Sequence, residues 1–482
     1  MTDNAIVWFR QDLRLADNPA LHQALRQHKQ VTLLYIHAPD EAAPWQPGAA
    51  KQWWQHHSLA ALQQSIKKLG GKLILREGPS LNTLQTVLAE SNAHTVYWNR
   101  SVEPALIKRD KMIEQQLSEQ GVECHSSDGN LLYPPGSIRT QTGKPYQVFT
   151  PFWRECQKQG LGDAPLPRPA RLHPSPLASL PLTALALLPT IRWDQGFEQC
   201  WQPGEAHAQQ RLAQFCDGAL NHYPEQRDLP AQPGTSSLSP YLANGEITPR
   251  QISAALMTQF IDNNSSASSV ETVIRQLGWR EFAHHILYHY PHTAEAPLNE
   301  RYQSFPWHNN PALLHAWQQG KTGFPIIDAG MRQLWHSGWM HNRVRMVVAS
   351  FLCKNGLIHW REGADWFWDT LVDADLASNS LNWQWAAGCG ADAAPYFRVF
   401  NPVRQSERFD ADGEYLRHWL PELSAAPKKL IHQPWKISKG IQQQSELQIG
   451  NGYPPPILDL NITRQQAIAT AKAAIRREIG GL

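Results

Sequence analysis

"AIVWFR" at residues 5–10, followed by "DNPALHQAL" at 17–25, joins a short apolar strand to the start of a helix. Asn18 offers an N-cap and Pro19 a first helical position, where a missing N–H is no loss. The unit then recurs. "VTLLYIH" (31–37), "KLILRE" (72–77), "HTVYWN" (94–99) and "VECHS" (122–126) read as further buried strands, with helical segments near 51–69, 80–91 and 103–120 between them. Strands that alternate with helices predict an α/β domain with a doubly wound parallel sheet. No G-x-G-x-x-G follows any of these strands, so no dinucleotide fingerprint is present, while a ligand at the sheet's carboxyl edge stays open.

The pattern changes after residue 130. Seven prolines fall within 164–190, "APLPRPARLHPSPLASLPLTALALLPT". Such a stretch is neither one helix nor a central strand, and it reads as a connector packed by its leucines. From about residue 201 the pattern is helical, with starts at "TPRQISAAL", "NPALLHAW" and "PIIDAGMRQL". The expected organisation is an α/β domain over 1–130, a linker over 131–200 and an all-α domain over 201–482, large enough to enclose a cofactor.

The formal charge is only +2, so any nucleic-acid site must be a local patch. The six cysteines form no C-x-x-C pair, which argues against structural zinc and iron–sulfur sites. No apolar run reaches membrane-spanning length, and "MTDNAIVWFRQDLR" lacks a signal-peptide pattern. A cytoplasmic protein is expected. Twenty tryptophans are many, and most are expected to fill cores.

Four stretches carry chemistry. "PGTSSLSPYLANGEITPR" (233–250) crowds Thr235, Ser236, Ser237 and Ser239 into a turn before a helix, a pattern shared by anion sites and plain serine-rich N-caps. "QLGWREFAHHILYHYP" (276–291) places Gln276, Trp279, Arg280 and His284 on one helical face. "GWMHNRVRMVVASFL" (338–352) sets Asn342, Arg343, Arg345 and Met346 in an apolar helix, where buried charge needs partners; Asp373 and Asp375 are candidates. The His-Asn pair at 341–342 has no second nearby ligand, so no metal is expected. "DADLASNSLNWQWAAG" (373–388) brings two acids, amides and two indoles together with no nucleophile among them.

These stretches, with "GKTGFPIIDAGMRQL" (320–334) and "DAAPYFRVFNP" (392–402), resemble the photolyase/cryptochrome family, specifically the class I cyclobutane pyrimidine dimer photolyases of bacteria. The resemblance runs over nearly the whole chain. It implies an N-terminal antenna domain and a helical domain that binds FAD and DNA. It also implies light-driven electron transfer from reduced flavin, a chemistry in which the cofactor reacts and the protein places and tunes it. Asn379 would lie at flavin N5. Asp373 and Asp375 would lie by the ring and ribose, with Asp373 paired to Arg345. Thr235, Ser236, Ser237, Leu238 and Ser239 would hold the pyrophosphate, and Tyr223, Arg280 and Asn342 would line the cofactor. Trp383, Trp360 and Trp307 map onto the family's electron relay. Trp279 and Trp385 would flank a flipped-out lesion, Asn342 and Met346 would complete its wall, and Arg227, Arg343 and Gln405 would meet the backbone of UV-damaged DNA.

Two departures stand out. Relatives that repair cyclobutane dimers usually carry glutamate where this chain has Gln276; (6-4) photolyases have glutamine there, but also two histidines at the positions of Asn342 and Met346. An Asn-Glu pair used by folate-binding relatives is not evident in "VEPALIKRD" (102–110), so a second antenna chromophore (methenyltetrahydrofolate, deazaflavin, another flavin or none) is left open. The expected function is repair of cyclobutane dimers by a monomer that associates with the bacterial nucleoid when bound to DNA. The alternatives are a cryptochrome-like blue-light photoreceptor or a (6-4) photolyase. The ending "AIRREIGGL", without a long tail, favours repair.

Overall fold

The computed structural model describes residues 4–479 apart from 263, 394, 397, 445 and 446. Ala394 and Phe397 of the 392–402 motif, the side chains of 475–479 and residues 480–482 lie outside the described residues. The chain folds into two compact units that do not follow chain order. One comprises 1–221, 236–291 and 372–377; the other comprises 222–235, 292–371 and 378–482.

In the first unit, β1 (Asn4–Phe9), β2 (Gln30–His37), β3 (Leu73–Glu77), β4 (Thr95–Asn99) and β5 (Glu123–Ser127) form a parallel sheet in the order β3-β2-β1-β4-β5. Alternate residues of β1 point to opposite faces. Ala5, Val7 and Phe9 pack with α1 (Pro19–Gln27) and α2 (Ala49–Lys68) through Leu21, Ala24, Leu59, Leu62 and Ile66. Ile6 and Trp8 pack on the other face with α3 (Ser80–Ser91) and α4 (Pro104–Glu119) through Leu84, Val87, Ile113 and Leu117. β1, β2 and β4 are buried on both faces, which explains their apolar runs, whereas β5, at the sheet edge, is not a buried strand: Glu123 is exposed and its other residues are half-buried. Asn18 caps α1 by accepting from the Leu21 N–H, with Pro19 at the first position. Chain order reverses between β1 and β4, which places a crevice at their carboxyl ends.

The proline-rich connector lies along this domain, with Leu172, Leu185 and Leu187 buried in its core. The linker region also contains a helix that the sequence pattern did not resolve, α5 (Phe149–Gln159), which buries Phe149, Phe152, Trp153 and Cys156. The helix Ala267–His289 packs against it. Gly278 is required at that contact, because a Cβ would stand 2.5 Å from the Trp153 ring.

The second unit is helical, with a single isolated bridge, Ile449 to Tyr453, outside the named strands among the described residues. The "GKTGFPIIDAG" motif is structural. Buried Asp328 accepts from the Thr322 N–H and hydroxyl (2.7 and 2.6 Å), the Gly323 N–H (3.0 Å) and the Tyr453 hydroxyl (2.6 Å). Those donors answer the buried carboxylate that the sequence alone leaves unexplained. No helix among the described residues is long and apolar enough to cross a membrane.

Candidate functional site

In the first unit the turn Ser236–Ser239 precedes the short helix Ser239–Ala243. Ser237 is left-handed at φ 51°. The Ser236 Oγ accepts from the Leu238 N–H at 3.4 Å, and the Ser239 hydroxyl donates to Asp373 at 2.6 Å. The segment carrying Asp373 and Asp375 is clamped from two sides. Asn244 donates its amide to the carbonyls of Pro240 (2.8 Å) and Val372 (3.1 Å). Lys51, buried in α2, donates to the carbonyls of Ala374 (2.7 Å) and Ala243 (3.1 Å); burial pulls its pKa down while Glu103, Asp375 and Asp373 oppose the shift.

Helix Ala267–His289 presents the other group. His284 lies 3.2 Å from Asp375. Arg280 donates to the Asn130 carbonyl at 2.9 Å. Glu281 is held by the N–H groups of Leu132 and Tyr133; burial raises its pKa, and Arg280 and His284 oppose the rise. Trp279 stacks on Phe149 with centroids 3.7 Å apart and planes 7° apart, so the orientation of its indole is fixed. Gln276 is half-buried and donates to the Thr272 carbonyl at 3.3 Å.

In the second unit Arg343 donates to Asp228 at 2.7 Å and lies 4.4 Å over the Phe409 ring. Arg227 lies 5.5 Å over the buried Tyr223 ring. The Asn342 amide and one Arg343 nitrogen both approach the Met346 sulfur, at 3.9 and 3.7 Å. Arg345 donates to the Met340 carbonyl at 2.7 Å. The Asn379 amide nitrogen donates to the Ala364 carbonyl at 2.9 Å. Thr235, Trp385 and Gln405 are half-buried.

The three indoles of the expected relay also lie in this unit. Trp383 and Trp360 are 2% and 1% exposed, and Trp307 is partly exposed. His359 stands beside both outer members, 5.3 Å from the Trp307 ring and 5.6 Å from that of Trp360. Trp383 meets Phe367 and Trp317 edge-on at 5.0 and 6.1 Å. A Cβ at Gly363 would overlap the Trp383 indole, so that glycine sets how close the helix Trp360–Thr370 comes to it.

The profile described as DNA photolyase matches residues 5–170, and that described as the FAD binding domain of DNA photolyase matches 273–473. A deoxyribodipyrimidine photo-lyase of Agrobacterium fabrum is 44% identical over 99% of both chains. The chain belongs to the photolyase/cryptochrome family. A crystal structure of a bacterial class III photolyase from Agrobacterium tumefaciens matches with TM-score 0.95 and 43% identity, covering 99% of this chain and 98% of that one. Cryptochrome-2 of Arabidopsis thaliana is 36% identical over 96% of this chain and 78% of that protein. This photolyase-family chain therefore carries an FAD-binding domain.

Several residues around these groups had escaped the sequence motifs. Lys51, Asp228 and Phe149 each act through a tertiary contact, and Lys51 and Asp228 lie in ordinary polar surroundings with no spacing signal. Phe149 was detectable, since apolar positions 149, 152, 153 and 156 have helical spacing.

Proposed function

We propose that this chain is a deoxyribodipyrimidine photo-lyase that uses light and reduced FAD to split cyclobutane pyrimidine dimers in UV-damaged DNA. The observation that carries the reading is the end-to-end likeness to the A. fabrum photo-lyase, 44% identical over 99% of both chains. The likeness to the A. tumefaciens class III photolyase favours class III over the class I expected from motifs.

The residues fit the cofactor. Hydroxyls and backbone N–H groups of Thr235, Ser236, Ser237, Leu238 and Ser239 suit a pyrophosphate. Tyr223, Arg280, Asn342, Arg345, Asp373 and Asp375 supply an aromatic wall, cations and acceptors. The Asn379 oxygen, oriented by the Ala364 contact, suits a protonated ring nitrogen. When bound and reduced, FAD supplies the photoexcited electron donor. Trp383, Trp360 and Trp307 carry electrons inward to restore the reduced state. Trp279, held flat by Phe149, is a rigid stacking platform for the extruded pyrimidine dimer, and Trp385 is the second. Gln276 pairs with the thymine edge, and Asn342 with Met346 closes the wall. Arg227, Arg343 and Gln405 take phosphates, giving salt-dependent binding. A second antenna chromophore is left open.

A photoreceptor role is the second reading, favoured by the 36% identity to a plant cryptochrome. The two separate in one assay. Reduced protein is illuminated with duplexes that contain a cyclobutane dimer, a (6-4) photoproduct or no lesion, and restored thymines are measured. Repair of the cyclobutane dimer alone is expected. Protein that holds reduced FAD yet restores no thymine in any duplex would be assigned to the photoreceptors.

A further inference from the structure

Gln11, Glu103, Arg280, His284 and Asp375 share a cavity at the carboxyl ends of β1 and β4, at the sheet's switch point. Only Arg280 and Asp375 have a part in the proposed function. The cavity offers about 40 Å³ to water, which is room for a few molecules at the ~10–15 Å³ each requires.

The hydrogen bonds fix where a proton can move. The His284 Nδ1 lies 2.9 Å from the Arg280 carbonyl oxygen. A carbonyl only accepts, so Nδ1 carries a hydrogen. The Nε2 lies 3.2 Å from an Asp375 oxygen, close enough for a proton to pass between ring and carboxyl. Across the cavity the Gln11 amide donates to Glu103 at 2.9 Å. Burial raises the pKa of Glu103, with Asp375 adding to the rise and the Gln11 hydrogen bond, Lys51 and His284 pulling against it.

Cofactor reduction needs such a route. Two electrons and one proton convert FAD to FADH⁻. The tryptophans carry only electrons, drawn in turn from an external thiol pair that becomes a disulfide and releases two protons to solvent. The Asn379 amide does not titrate. We propose that Glu103, cavity water and the His284–Asp375 pair form the path by which one proton enters from solvent to the cofactor residues during photoreduction. The inference rests on the FAD reading above. Glu103 and His284 act on the proton, not on the lesion.

The test follows proton uptake and electron arrival separately. FAD-loaded protein with thiol is excited by a laser flash. Tryptophan oxidation reports electrons, a pH-indicator dye reports the proton, and light-minus-dark infrared spectra report carboxyl C=O bands. In His284→Gln, whose amide can still meet the Arg280 carbonyl, electron arrival should be unchanged and proton uptake slowed about 100-fold or more, the usual scale for losing a positioned acid or base. Glu103→Gln should slow uptake and remove one C=O difference band, and it decides the matter if His284→Gln does not load FAD. Parental uptake in the loaded variants, with no C=O band lost in Glu103→Gln, overturns the path. A parent that holds no FAD would instead overturn the functional reading, and a loaded parent that shows no tryptophan oxidation would overturn the relay.

Discussion

Gln276 is the residue at which the proposed repair function meets its sharpest test. Glutamine and glutamate both pair with a thymine edge in the ground state, but only the acid strongly stabilises charge that develops after electron transfer. An interaction that grows with charge acts on rate more than on affinity. Gln276→Glu is therefore expected to raise repair per absorbed photon while changing lesion affinity by no more than about ten-fold, as befits one hydrogen bond of ~1 kcal/mol. Single-turnover repair under blue light, set beside equilibrium binding in the dark, checks this. Much tighter binding with an unchanged yield per bound dimer would make the residue a recognition element only. The candidate residues were legible because they sit in long motifs in a fixed order. Their supports were not: Asp228 under Arg343 and Lys51 beneath the Asp373–Asp375 segment depend on contacts between positions more than a hundred residues apart.

At the scale of elements, the structure shows an unusual way of starting helices. His341 caps the helix Asn342–Ser350 by accepting from the Arg343 N–H at 3.2 Å, and His359 caps Trp360–Thr370 through the Arg361 N–H at 3.1 Å. A capping Nδ1 must be unprotonated. Burial, with Arg343 and Arg345 adding to it against Asp228, brings the His341 pKa down to about 4. Buried His285, which accepts from the Tyr146 N–H at 3.1 Å, is also brought down to about 4. A depressed folded-state pKa contributes stability that is complete above the unfolded value of ~6.5 and is lost as pH falls through about 4. Each such histidine should add up to about 1.4 kcal/mol per pH unit to that decline. His341→Asn keeps a good cap and removes one proton. Urea midpoints between pH 7.5 and 5 should then fall less steeply than in the parent, and an unchanged slope would mean that His341 does not titrate with unfolding. Strands and long helices were readable because periods of 2.0 and 3.6 are local. Helix α5 carried the same signal, but a connector rich in prolines drew it into a loop.

For the whole molecule, the sheet topology, the helical second half and the FAD-binding domain agree with the sequence reading, whereas the division into compact units does not run along the chain: 372–377 groups with the α/β domain while residues on either side do not. A motif reads one segment at a time and carries no record of which unit a six-residue stretch joins. The proposed chemistry sends electrons along two separate courses, one through Trp383 to the cofactor and one from the reduced cofactor to the lesion. Blue-light repair of a thymine-dimer oligonucleotide by Trp383→Phe, begun from chemically reduced and from oxidised protein, distinguishes two courses from one. The reduced variant should repair at the parental yield, and the oxidised variant should stay oxidised and inactive under illumination with thiol. An oxidised variant that photoreduces and repairs at the parental rate, or a reduced variant that holds FAD and cannot repair, would refute the two-course scheme.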